Sequence, residues 1–248
     1  MHGTSRMGDN VNRFQTTRWS LVLAARTDSA ESRQALDALC RTYRSPVLTY
    51  VRGRGYSADE AEDLAQTFFT RFIERAVHAH ADPARGRFRA FLLTALKHFL
   101  NDADDATRAA KRGGDIHVRS LDSLAGGADS LGNIQDSETP EREFERAWAH
   151  SILQTALDRL RDEASAAGKL ELFGHLREFL IERPDDVDYA RVANDLNLRR
   201  NTVAVAVHRL RHRLRALVCE ELAHTAADDD DMEQELEELR HSLGAVIQ

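Results

Sequence analysis

Two groups of charged residues in this sequence are spaced closely enough to act together. Asp59, Glu60, Glu62, Asp63 and Gln66 fall within two turns of any helix built there, beside an apolar stripe of Leu64, Phe68 and Phe72. An acidic and amide patch of this kind can grip a basic protein surface, because opposed charge speeds docking and desolvated pairs fix register. The plainer reading is that acids at a helix start favour the macrodipole. In the second group Arg191, Arg199, Arg200, Arg209, Arg211, Arg213 and Arg215 stand against one acid, Asp195. Such a run can neutralise phosphates. The competing reading is an ordinary helical hairpin, but solvated faces usually mix signs and no acid occurs between Arg199 and Val218.

Little else invites catalysis. His78 and His80 form a His-Ala-His run without a nearby ligand set, and no nucleophile motif or phosphate loop is present. The chain is therefore expected not to be an enzyme and to need no cofactor or metal. Cys40 and Cys219, the only cysteines, lie in apolar-periodic segments without a C-x-x-C pair, and are expected to be buried thiols. No apolar stretch approaches the roughly 18 residues of a membrane span, and Met1 to Asn10 lacks a signal-peptide core, so no membrane insertion and a cytoplasmic location are expected. The net charge of -7 argues at first against nucleic acid. Its distribution reverses that impression, because Glu220 to Gln248 carries ten acids against the single base Arg240.

The elements that must position these groups are helical. With 248 residues, two small domains on separate cores are the natural expectation. Apolar residues recur at helical spacing in Leu36, Leu39, Cys40, Tyr43 and Val47, then Leu64, Ala65, Phe68, Phe69, Phe72 and Ile73, then Phe88, Phe91, Leu92, Ala95, Leu96, Phe99 and Leu100. Between the first two runs, Arg52 to Ser57 reads as a turn, with Ser57 as N-cap and Glu60 at capping-box distance. Asp82 to Gly86 separates the second run from the third, and Thr16 to Ala25 reads as a short docking helix. Periodicity is lost in Gly, Ser and Asp from Gly113 to Pro140, the composition of a tether, and resumes at Phe144, Trp148, Ile152, Leu153, Leu157 and Leu160, and again from Leu172 to Leu180.

The sharpest local pattern lies between Asp188 and Val218. Tyr189, Val192, Ala193 and Leu196 make a short helix, Asn197-Leu198 a turn, and Val203, Val207, Leu210, Leu214 and Leu217 a second helix, which is helix-turn-helix spacing. Asn197 suits the turn because Asn tolerates a left-handed backbone.

These residues resemble an extracytoplasmic-function (ECF) sigma factor of the sigma-70 family. Arg199-Arg200-Asn201-Thr202-Val203 through Arg211 is similar to the cap-x-Gly-Thr-Val frame and Arg-rich stretch of that family's recognition helix. Ser57 to Phe69 resembles its Asp-Ala-Glu-Asp-Leu-x-Gln-x-x-Phe signature, and Gly86 to Leu92 its Phe-x-x-Trp-Leu stretch. The resemblance spans roughly Ala30 to Leu222 and implies an all-α fold of two helical domains joined by a flexible linker. The implied organisation is an N-terminal extension over 1–29, sigma region 2 over 30–112, an acidic linker over 113–140, region 4 over 141–224 and an acidic extension with a short amphipathic helix over 225–248. Region 2 would bind core RNA polymerase at the β′ clamp helices through Asp59, Glu60, Glu62, Asp63, Gln66 and Phe69. It would recognise and melt the minus-10 promoter element with Arg85, Arg87, Arg89, Lys97, His98, Asn101, Asp102, Arg108, Lys111 and Arg112. Taking a base out of the stack costs a few kcal/mol and needs a pocket with cationic support for the strand. Phe88, Phe91 and Phe99 sit at core spacing and read as packing rather than stacking platforms. Region 4 would contact the β flap and read the minus-35 element with Arg199, Arg200, Asn201, Thr202, Ala204, Val205, His208, Arg209, Arg211 and Arg213.

The sequence departs from that family in places. Asp104 and Asp105 stand where basic residues are usual, Ala204, Val205 and Ala206 replace polar base-reading side chains, and Arg199 takes the place of a Ser or Thr cap. Small apolar groups can still meet a thymine methyl. Met232, Leu236, Leu239, Leu243 and Val246 alternate in steps of four and three behind Asp228 to Asp231, an amphipathic helix expected to fold back and regulate in cis, the alternative being control by a separate anti-sigma factor. The alternative from another class is a two-domain helix-turn-helix regulator that does not bind the polymerase core as a sigma subunit.

Overall fold

The computed structural model describes residues 30–74, 88–112, 139–181, 185–223 and 229–243, and these are helical, with no strand among them. Helix α1 spans Ala30–Gly53, α2 Ala58–Glu74 and α3 Phe88–Arg112. They are followed by α4 (Pro140–Ala166), α5 (Leu170–Leu176), a 3-10 turn (Glu178–Leu180), α6 (Asp186–Asp195), α7 (Arg200–Ala223) and α8 (Asp229–Ser242). The all-α expectation is met. The segment Thr16 to Ala25 and the tether from Gly113 lie outside the described residues, as do His78, His80 and Val246.

Local chemistry sets the helix ends. Ser57 closes the turn before α2 as a capping box: its Oγ accepts from the Glu60 amide at 3.4 Å, and the Glu60 carboxylate accepts from the Ser57 amide at 2.9 Å. The Ser57 hydroxyl also donates to that carboxylate at 2.7 Å, and this bond, followed by the one from the Ser57 amide, holds the Glu60 carboxyl below its ordinary range. Gly55 precedes it with φ 95°, a backbone that only glycine adopts without strain. Thr139 caps α4 by accepting from the Arg142 amide, with Pro140 at a first-turn position where its missing N–H costs nothing. A second capping box, Asp185 with Asp188, starts α6. Helix α1 continues through Pro46, which forfeits one backbone bond; Tyr43 and Val47 to Val51 keep both halves seated in the core.

Among the described residues, two separate cores of comparable weight do not form. Helix α4 lies along α1, and α7 and α8 pack on α4, so a single apolar cluster runs from Leu39 in α1 through α2 and α3 to Trp148, Leu217 and Leu239. A small second cluster of Leu176, Phe179, Val192, Ala193, Val203 and Val207 holds α6 against the start of α7. The reason lies in α4. Phe144, Trp148, Ala149, Ile152, Leu153, Ala156, Leu157 and Leu160 are all buried, an apolar surface too broad for one partner helix, and it is covered from both sides. Gly53 shows how close the approach is: a Cβ there would stand 2.6 Å from the Glu143 carboxylate and 3.2 Å from Pro140 Cβ. Cys40 and Cys219 are half-buried rather than fully buried, because each lies at the edge of its helix's apolar stripe. Burial, reinforced by Asp37, still pushes the Cys40 thiol up to about 11.

Candidate functional site

The acidic helix carries its groups on two faces. Ala61, Ala65, Phe68 and Phe72 point into the core, while Asp59, Asp63 and Gln66 are exposed along the opposite side. Phe69 is half-buried and packs edge-on against Phe68 at 5.4 Å. Glu60 is spent on the cap, and Glu62 faces Arg44 at 2.5 Å and Arg52 at 3.9 Å across the turn from α1. The free acid and amide surface is therefore narrower than the sequence pattern implies and centres on Asp59, Asp63 and Gln66.

Helix α3 is held beneath α2 by aromatic contacts. Phe88 meets Tyr43 at 5.2 Å and Phe72 at 6.3 Å, and Phe99 meets Phe68 at 5.6 Å. Phe88 and Phe99 are buried, and Phe91 is half-buried against the same cluster, as their spacing indicates. His98 and Asn101 are exposed and Asp102 is half-buried. Lys97 is bonded to Glu141 of α4 at 2.8 Å; burial opposes ionisation of Glu141, but Lys97 holds its carboxyl below the ordinary range. Asp104 accepts from the Tyr56 hydroxyl at 2.5 Å and lies 3.9 Å from Arg54, so this acid ties α3 to the turn before α2. Arg108 pairs with Asp105 at 3.3 Å. Arg85 and Arg87 lie outside the described residues, as do the side chains of Lys111 and Arg112.

Arg89 is not presented to solvent in this arrangement. Expected as a source of phosphate charge, it is 3% exposed, its guanidinium stacked over the Trp148 ring at 4.0 Å. Nη1 lies 3.1 Å from Glu145 and 3.3 Å from Glu235, and Nη2 is bonded to Glu238. The physical reason is tertiary. An Arg at the second position of α3 points between α4 and α8, where it meets carboxylates that only the folded chain brings together. Tyr43 lines the same space, and burial together with the Glu235 charge pushes its phenol well above the ordinary value.

The three helices that carry the acidic face are the segment with a recognisable relative. Residues 39–112 match the model of sigma-70 region 2. No curated protein and no solved structure matches the chain. The match likens this segment, rather than the whole chain, to sigma-70 region 2. It covers α1 from Leu39 and all of α2 and α3, so Asp59, Asp63 and Gln66 fall inside the matched segment, as does Arg89.

Beyond region 2, α6 and α7 meet at a tight turn. Asn197 takes φ 50°, the left-handed backbone its residue type tolerates, and the Leu198 amide donates to Ala193 O at 2.8 Å. The first turns of α7 present Arg199, Arg200, Asn201, Thr202, Val205, His208 and Arg209 to solvent, with Ala204 half-buried. Arg211 and Arg213 do not share this exposure. Arg211 donates through Nε to Phe179 O at 2.9 Å. Arg213 pairs with Glu163 at 2.6 Å and Glu220 at 3.0 Å, which raises it further above its already high ordinary value. Both were expected at a phosphate backbone and are engaged in holding α7 to α4 and to the 3-10 turn. Arg159, bonded to Glu220 at 2.6 Å and Glu221 at 2.7 Å, completes that network. Sequence reasoning missed it because its partners lie some sixty residues apart. No helix among the described residues is long and apolar enough to cross a membrane.

Proposed function

We propose that the chain is an ECF-type sigma factor. It binds core RNA polymerase through the outer face of α2, opens the minus-10 element with α3 and the segment before it, and reads the minus-35 element with the start of α7. The observation that carries this reading is that the region 2 match falls on the helices that present Asp59, Asp63 and Gln66 outward. These side chains are exposed, so a basic surface can meet them without unfolding anything, and opposed charge accelerates that encounter. The helix-turn-helix reading of α6 and α7 is supported by the Asn197 turn and by the exposed run from Arg199 to Arg209. That run carries no acid, so phosphate contacts dominate affinity and make it strongly salt-dependent. Base discrimination falls to Arg199, Arg200, Asn201, His208 and Arg209, with Val205 available to a thymine methyl. Arg211 and Arg213 act instead as braces, keeping α7 at a fixed angle to α4.

The test is run-off transcription with purified core enzyme and a library of promoter variants. The chain is expected to direct initiation from a defined subset. Charge reversal at Asp59 and Asp63 is expected to weaken core binding by about tenfold, the scale of one lost charge pair at an interface. Unchanged affinity in a titration removes the assignment of α2. A sequence preference that survives Arg209→Ala unaltered removes the assignment of α7.

A further inference from the structure

Helix α8 is seated rather than loose. Leu239 is fully buried, and Met232, Leu236 and Leu243 pack against the main apolar cluster, on α7 and α4. That stripe anchors the helix. Its acidic side then reaches a different element: Glu235, 2% exposed, and Glu238 both face the Arg89 guanidinium at the start of α3, with Glu145 of α4 as the third carboxylate and Trp148 beneath. Two of the three carboxylates, Glu145 and Glu238, are a third and nearly half exposed. Part of the arrangement is therefore open to exchange with an anion arriving from solvent. A guanidinium accepts carboxylate and phosphate through the same forked donor geometry, so a phosphodiester is a direct rival for the position Glu238 holds.

We propose that α8 is a built-in competitor of nucleic acid: Glu235 and Glu238 occupy Arg89 in place of a strand phosphate, and α8 must release Arg89 before α3 engages DNA. The inference rests on the region 2 reading and names how that same surface is regulated. A competitor tethered to the chain works at high effective concentration. Single-stranded DNA therefore binds the isolated chain weakly until α8 lifts, and any event that draws α8 away raises affinity without altering the DNA-facing residues.

The experiment uses the full chain in three forms: wild type, Glu235→Gln/Glu238→Gln, and Glu233→Gln/Glu237→Gln. The last removes the same charge from exposed positions of the same helix. The probe is a fluorescein-labelled, degenerate single-stranded DNA 12-mer at low salt, read by anisotropy. The Glu235/Glu238 form is expected to bind about tenfold tighter than wild type, the scale of one recovered charge-assisted contact. The Glu233/Glu237 form should stay within about twofold of wild type. Saturating DNA should also speed amide deuterium exchange across Asp229–Ser242 in the wild type. Equal affinity of the Glu235/Glu238 form and wild type overturns the proposal, as does an equal gain in the Glu233/Glu237 form, which would reduce the effect to net charge. Unchanged exchange across α8 overturns it too. Should the double variant lose its helical circular dichroism, Glu238→Gln alone decides, since it alters a group already nearly half exposed. Core-enzyme binding is measured in parallel. If no form binds core, the region 2 reading fails and the proposal with it, whereas intact core binding with flat DNA affinities overturns the competitor alone.

Discussion

Replacing Arg89 with Met tests whether the buried charge cluster between α3, α4 and α8 exists in solution. The guanidinium is 3% exposed and touches Glu145, Glu235 and Glu238. Glu145 and Glu238 reach solvent, so their charges can rehydrate once the partner has gone, and their share of the cost is small. Glu235 cannot do so: at 2% exposure it loses the guanidinium where water cannot take its place, and removing one partner of a buried pair costs about 3–5 kcal/mol. Loss of the stacking on Trp148 adds about 1 kcal/mol, partly offset by the apolar Met side chain. An expected loss of about 4 kcal/mol is a large fraction of the 5–15 kcal/mol that holds a typical domain together. Urea unfolding followed by far-ultraviolet circular dichroism reads the total, and tryptophan emission reads the site itself, since Trp148 is one of only two tryptophans in the chain. The decisive comparison is Arg89→Met/Glu235→Met, which removes both charges and is expected to recover most of the loss, because a buried ion pair and an apolar pair of similar volume are nearly equivalent. The reasoning is refuted if Arg89→Met costs less than about 1 kcal/mol, or if the double variant is no more stable than the single one.

Further outcomes follow from local geometry. Asn197→Val, forcing a β-branched side chain to φ 50°, is expected to lower stability by about 1–2 kcal/mol while Asn197→Gly is neutral, as thermal melts will show. Ser57→Ala removes the cap of α2 and should cost about 1 kcal/mol in the same assay. The Arg213 side chain holds Glu163 below the ordinary carboxylate range, and Arg159 followed by Arg213 does the same for Glu220. A carboxylate with a depressed folded pKa stabilises the fold above the unfolded value of about 4.3, and that contribution is lost as pH falls through the folded value. The melting temperature should therefore be flat from neutrality to about pH 5 and fall below it, and Arg213→Gln should make the acid limb shallower. An acid limb of equal steepness in the variant would show that the network does not form.

The sequence reveals the helices because their information is local. Apolar spacing places α1, α2 and α3, Ser57 with Glu60 announces the start of α2, and Asn197 marks the turn before α7. The capping box at Asp185 is legible in the same way, since the Asp-x-x-Asp spacing is plain. What stays hidden is pairing between distant segments. An Arg between two phenylalanines looks like phosphate charge until Glu235, well over a hundred residues away, is folded against it. Arg213 is equally ambiguous, because Glu163 and Glu220 approach from another helix and from its own next turns. The broad apolar surface of α4 gives no clue in sequence to how many neighbours will cover it. For the candidate site, the exposed face of α2 was readable from residue type and spacing, whereas the engagement of Glu62 by Arg44 needed the fold.

Helix α7 joins the two apolar clusters end to end: Val203 and Val207 belong to the small one, Leu214 to Leu222 to the large one. At about 1.5 Å per residue its 24 residues make a rod of roughly 36 Å. A rod seated at its far end turns small tilts into large displacements: about 10° of rotation at Leu217 to Leu222 carries the Arg200 end through about 5 Å, close to one helical turn. Any rearrangement that loosens the seat is thereby converted into a change of reach at the arginine-bearing tip, with no side chain at that tip altered.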